Sequence, residues 1–249
     1  MTGEGWTQAV RRQLGLGRVL PLGGAGDGAW VTESAVDAAL RRMADNVTGV
    51  RLGTLRVAPA DPEHAQEPAV PPPPSALPPG PLRITADFAA VTGEPLPAAA
   101  DRLRAALTTA AHRVGLRADA VDLEVTALLD EGADAGVRPQ GDPAPAGHSG
   151  DEEGDGGESG GEPRDGDAAR VEQAVLSVPG VAGLTGVLGR AVHIEERPEA
   201  AALPRRHARV ELATDGGHRA LDVALAVRAA VGAALPDHPS VAVLVTEVG

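Results

Sequence analysis

The 249-residue chain contains no cysteine, no tyrosine and no lysine, and its only aromatic residues are Trp6, Trp30 and Phe88. Without cysteine there is no disulfide, no thiolate metal ligand and no thiol nucleophile. Three scattered aromatic rings make no stacking platform for bases. All 22 basic residues are arginine; with the Ala, Gly and Pro bias, this fits a GC-rich genome and is not read as chemistry. No run of 18 apolar residues is present to span a bilayer, and the opening MTGEGWTQAVRRQLGLG lacks the apolar core of a signal peptide. A cytoplasmic chain is expected. The 35 acidic residues leave a net charge of −13, which repels phosphate backbones, so nucleic acid is not an expected partner.

What the chain does have is 32 glycines and 22 prolines, concentrated in two stretches. Residues Pro59 to Pro81 hold ten prolines, including Pro71-Pro72-Pro73-Pro74, and read as an extended polyproline-like loop. Glu131 to Asp167 hold eleven acidic residues against Arg138 and Arg164, with almost no large apolar side chain. Such a segment buries too little surface to offset its conformational entropy, which predicts an acidic disordered linker over 131–167.

The parts flanking that linker repeat each other. Leu40, Met43, Ala44, Val47 and Val50 recur as Val171, Ala174, Val175, Val178 and Val181, at a constant offset of 131. Arg104-Ala105-Ala106-Leu107 matches Arg228-Ala229-Ala230-Val231, and Val121–Thr126 matches Val241–Thr246. This pattern predicts a tandem duplication. Each unit reads as helix, strand, strand, helix, strand. Thr32 suits the first N-cap, and Gly49 and Gly180 suit the turns after the first helices. A bulge at Gly53 accounts for a phase change in the first strand. Leu82, Ile84, Ala86 and Phe88 alternate as a half-buried strand, matched by Ala208, Val210 and Leu212. Leu96 to Val114 carries one apolar stripe opened by Pro95 and Pro97. The expected class is α+β: two tandem two-layer sandwiches separated by the acidic linker. Residues 1–29 are expected to form a docking segment in which Trp6, Val10 and Leu14 line one side of a short helix. The first unit covers 30–130 with its Pro-rich loop 59–81, and the second covers 168–249.

The second unit is the greasier one. Its helix, from Ala220 to Leu235, has only Asp222 and Arg228 as charges, and its last strand is apolar on both faces. Both features demand burial on two sides. Leu225, Val227, Val231, Val243 and Val245 are therefore the expected interface or inter-unit packing residues. Motifs with chemical meaning fail on context. Gly157–Gly161 fits G-x-S-x-G but lies in acidic low-complexity sequence. Gly24–Ala29 fits G-x-G-x-x-A but stands apart from the next helix start, and Gly186–Gly189 lacks the paired helices of a KH loop. Arg205–Arg209 is basic without aromatic neighbours, and the seven histidines show no metal-binding spacing. No catalytic residue, cofactor or metal is expected.

The unit order resembles the alkaline shock protein family, the Gls-type general stress proteins of Gram-positive bacteria. So do the Val178-Pro179-Gly180-Val181 helix end, the strand Leu82–Phe88, the helix opening Glu94-Pro95-Leu96-Pro97 and the strand Val121–Thr126. Tandem chains of this look also sometimes carry the label nucleopolyhedrovirus P-ten family. The resemblance implies a non-enzymatic cytoplasmic scaffold or adaptor of the envelope stress response. Such a protein self-associates or binds a membrane-anchored partner at the inner face of the cell membrane. A small-molecule-binding regulatory module with a cleft between the two units is the alternative.

Overall fold

The first half builds a three-stranded sheet from local signals that the sequence supplies. Helix α1 (Glu33–Ala44) starts at Thr32, whose hydroxyl accepts the Ala35 N–H at 3.3 Å. It ends in a turn where Gly49 adopts φ 74°. Strand β3 (Val50–Pro59) follows and pairs antiparallel with β4 (Leu82–Val91), with a register shift between Leu52 and Leu55. That shift spans Gly53, where a Cβ would lie 1.8 Å from Asp87 Oδ1, so glycine is required. Asp87 uses this oxygen to accept the Thr54 N–H at 2.9 Å. Helix α2 (Leu96–Val114) buries Ala99, Leu103, Leu107, Ala110 and Val114 and closes at Gly115 in the left-handed region. The crossover returns the chain as β5 (Ala118–Leu129), parallel to β4.

This computed structural model describes residues 17–130, 164–199 and 202–249. The docking helix expected around Trp6 and most of the acidic linker lie outside the described residues. The expected linker end does not hold, because α3 (Arg164–Leu176) already starts at Arg164. Asp167 ties it down by accepting hydrogen bonds from Arg170 and Arg206. Gly180, at φ 91°, ends the turn after it, and β6 (Val181–Leu184), β7 (Val192–Glu199), β8 (Ala202–Thr214), α4 (Ala220–Ala234) and β9 (Ser240–Val248) follow.

β6 and β7 lie end to end along the same side of β8, both antiparallel to it, and β9 lies parallel on the other side. Thus β6 and β7 together stand where β3 stands in the first sheet. The two-residue bulge between Leu52 and Leu55 is replaced by the segment between Leu184 and Val192. Both parallel ladders carry a register shift at the same step, Phe88/Ala89 in one and Leu212/Ala213 in the other.

The sheets are not independent, which differs from a first unit confined to 30–130. β1 (Val19–Leu22) and β2 (Ala29–Thr32) form a hairpin, and β2 adds parallel to β9. The amino-terminal hairpin therefore belongs to the second sheet, giving the order β1-β2-β9-β8. α1 follows directly from β2 and packs on β3, β9 and α2. One continuous apolar cluster consequently runs through both halves, from Leu20 and Val36 to Leu107 and Val245.

The Pro-rich segment is also more than a connector. Its ends are zipped by Ala60 N–H to Pro81 O (2.8 Å) and Gln66 N–H to Pro79 O (2.7 Å). Its middle is pinned by Ala69 N–H to Ala25 O (2.9 Å) and Leu77 N–H to Val19 O (2.8 Å). Val70 is thereby pressed into a second apolar cluster with Val19, Trp30, Ala242 and Leu244. Proline supplies this cover with little ordering entropy, since its φ is fixed before folding.

Candidate interaction surfaces

Strands β5 and β9 hold matching places in their sheets and have opposite fates. β9 is flanked by β8 and β2, with Val243 opposite Val210 and Ala29, and Val245 opposite Leu212 and Val31. Val243 and Val245 are fully buried under the helices, while Ala242 and Leu244 are buried on the far face in a cluster with Trp30 and Val70. Val227 and Val231 on α4 are likewise fully buried, and Leu225 is half-buried. The two-sided burial that the second half demands is met inside the chain, so four of these five residues present no surface to a partner.

β5 has β4 on one side and no strand on the other among the described residues. Val125, in the place of Val245, is 37% exposed, and Leu128 is 59% exposed. Asp119, Asp122 and Glu124 cluster in the amino-terminal part of the strand, and Asp122 accepts from Arg83 at 2.7 Å. The remaining stretch, Val125-Thr126-Ala127-Leu128-Leu129, carries no charge. A long, uncharged, partly apolar edge is a template for strand addition. Asp119, Asp122 and Glu124 set β5 apart from the apolar internal strand β9, and the sheet order shows the open side.

The far face of the second sheet is titratable. His207, Arg209 and Glu211 project from β8 beside His193, Glu195 and Arg197 of β7. Glu195 accepts from Arg197 at 2.6 Å, which with His193 holds its carboxyl below the usual range. His207 bonds to Ser240 Oγ through Nδ1 at 2.9 Å, and burial followed by the charges of Arg197 and Arg209 pushes its pKa down to about 4. Glu211 is fully buried, and burial raises its carboxyl against the Leu188 N–H that it accepts at 2.9 Å. It holds the Leu184–Val192 segment as Asp87 holds the bulge in the first half. Its other oxygen lies 3.4 Å from Arg209 Nη2 without a hydrogen bond. Trp30 Nε1 is also buried without a hydrogen-bond partner.

A cleft of about 780 Å³ opens where Val70 faces the near end of the second sheet. Arg205 and Arg206 of β8, Arg228 of α4 and His238 beyond it line it together with Glu196, which pairs across the strands with Arg206, and Asp237. Arg206 is spoken for, by Asp167 at 2.7 Å and Asp237 at 3.2 Å. Among the described residues no helix is long and apolar enough to cross a membrane. Nor do three His, Asp or Glu side chains converge there as metal ligands. No family model, curated protein or solved structure matches the chain.

Proposed function

We propose that the chain is a non-enzymatic scaffold built from two copies of one helix-strand-strand-helix-strand unit, and that it works by self-association through the open edge of β5. Support for the duplication comes from three coincidences. The strand orders match, the register shifts fall at the same step, and Asp87 and Glu211 each accept a backbone N–H where the first strand is interrupted. The resemblance to alkaline shock proteins points to the same class of function, in the cytoplasm and reaching the membrane through an anchored partner.

The observation that carries the reading is the contrast between the two last strands. The chain closes the β9 edge with its own β2 and, among the described residues, leaves the β5 edge open, with Val125 and Leu128 exposed. A second copy is the occupant that fits. Two β5 strands paired antiparallel about Val125 set Glu124 against Thr126 and Asp122 against Leu128, so between Val121 and Leu129 no acidic residue faces another. Antiparallel pairing also starts the two acidic linkers roughly 40 Å apart at about 3.3 Å per residue, well beyond a screening length of about 8 Å. Parallel pairing would set the linkers side by side. The pairing completes a two-fold symmetric six-stranded sheet, the commonest symmetry for a homo-oligomer.

Sedimentation equilibrium of the full chain tests this. The wild type forms a concentration-dependent dimer, the Val125→Lys/Leu128→Lys double variant remains monomeric, and Leu176→Lys, an exposed position remote from β5, associates as wild type. A wild type that stays monomeric throughout, or a double variant that dimerises as well as wild type, overturns the proposal.

A further inference from the structure

The two halves hold an arginine in the same place and treat its charge differently. In α2, Arg104 Nε donates to the Val121 carbonyl at 3.4 Å, bridging helix to last strand. In α4, Arg228 Nε donates to the matching Val241 carbonyl at 3.2 Å. Arg104 is neutralised by Asp101, one turn earlier, at 2.6 Å. The residue one turn before Arg228 is Leu225. Arg228 makes its second hydrogen bond to another carbonyl, Gly26 O, at 2.7 Å, and pairs with no carboxylate among the described residues. Gly28 makes room for this arrangement: a Cβ there would stand 3.0 Å from Arg228 Nε.

We infer that Arg228 is the anchor of a binding site for a carboxylate that carries an apolar chain. Two carbonyls fix the guanidinium and leave three of its five N–H donors unused, enough for a two-pronged carboxylate contact. The cation faces the 780 Å³ cleft, and it also borders an adjoining groove of about 320 Å³. Leu225, Ala229, Pro239 and Val241 line that groove. Charge and apolar surface therefore meet at one side chain, which suits an amphiphilic anion better than a bare one. The cleft volume lies within the usual range for small-molecule sites, roughly 300–1,000 Å³.

Isothermal titration of the full chain with decanoate, below its micelle concentration, tests the assignment. The wild type binds saturably, and decanol at the same concentration does not. Leu225→Asp restores the arrangement of the first half, an aspartate one turn before the arginine, at a half-buried position. It weakens decanoate binding at least tenfold while the far-ultraviolet circular dichroism stays that of wild type. Arg228→Gln does the same, and Leu225→Ala retains binding. Undiminished binding by Leu225→Asp, an absence of saturable binding by wild type, or displacement of decanoate by equimolar inorganic phosphate overturns the proposal. This outcome is independent of self-association, since β5 is the edge of the first sheet and Arg228 sits on α4, which packs on β9 and β2 of the second.

Discussion

If the amino-terminal hairpin is a structural part of the second sheet, truncating Trp30 should unfold more than a terminus. Trp30 is almost completely buried, opposite Leu244 and packed in the cluster with Val19 and Val70. Replacing a buried aromatic by alanine costs about 3–5 kcal/mol through lost transfer energy and the cavity left behind. Trp30→Phe should behave differently. It gives up part of the ring, about 2 kcal/mol at ~0.8 kcal/mol per buried carbon. It also removes an indole N–H that is buried without a partner, and relief of such a group returns about 1–3 kcal/mol. The expected ranking is thus Trp30→Phe within about 1 kcal/mol of wild type and Trp30→Ala lower by the full aromatic amount. Equilibrium urea unfolding followed by far-ultraviolet circular dichroism measures both. A Trp30→Ala variant less than about 1 kcal/mol below wild type would refute the shared sheet, since it would mean that the hairpin detaches at little cost.

Two further predictions concern the far face of that sheet. His207 is held near pKa 4, below the ordinary 6.5, so the unfolded chain binds its proton more tightly than the folded one. Stability from this group is present above pH 6.5 and is lost as pH falls towards 4, about 3 kcal/mol in all at 1.36 kcal/mol per pH unit. His207→Gln should flatten that part of the pH–stability curve; a wild-type and variant difference constant from pH 7 to pH 4 would contradict it. Glu211 has the opposite sign: its raised carboxyl pKa favours the protonated folded form, so its contribution falls as pH rises above the ordinary 4.5. Glu211→Gln keeps an acceptor for Leu188 and should raise the urea midpoint at pH 7, with the gain shrinking towards pH 4; a lowered midpoint at pH 7 would contradict it.

Much of the fold was legible because it is written in local signals. Thr32 as cap, Gly53 as bulge, the α2 stripe and the alternation of β4 each depend on residues within one turn or one ladder step. What escaped depends on partners far away in sequence. β2 joins β9 across more than two hundred residues, and a four-residue strand carries too little pattern to announce itself. The cover supplied by Val70 is invisible in a stretch whose composition says only extended and proline-rich. β6 and β7 read poorly because the segment between Leu184 and Val192 interrupts what is one continuous strand in the first half.

The surfaces were less legible than the fold. Val227, Val231, Val243 and Val245, expected at an interface or in inter-unit packing, are buried within the chain in the cluster that both halves share, so their apolarity marks a core. The open β5 edge is a property of sheet order, since the acidic residues of β5 mark a solvated face but not an unpaired side. The repeat Arg104-Ala105-Ala106-Leu107 against Arg228-Ala229-Ala230-Val231 was visible. Its meaning was not. Only the shared bond from each arginine to the last strand shows that Leu225 stands where Asp101 neutralises its neighbour.

Amide hydrogen exchange across β5, measured at low and high protein concentration, tests the self-association account most directly. The account predicts that amides between Val125 and Leu129 gain protection as concentration rises, while those of β9 are protected at every concentration. Exchange in β5 that is the same at both concentrations would contradict it.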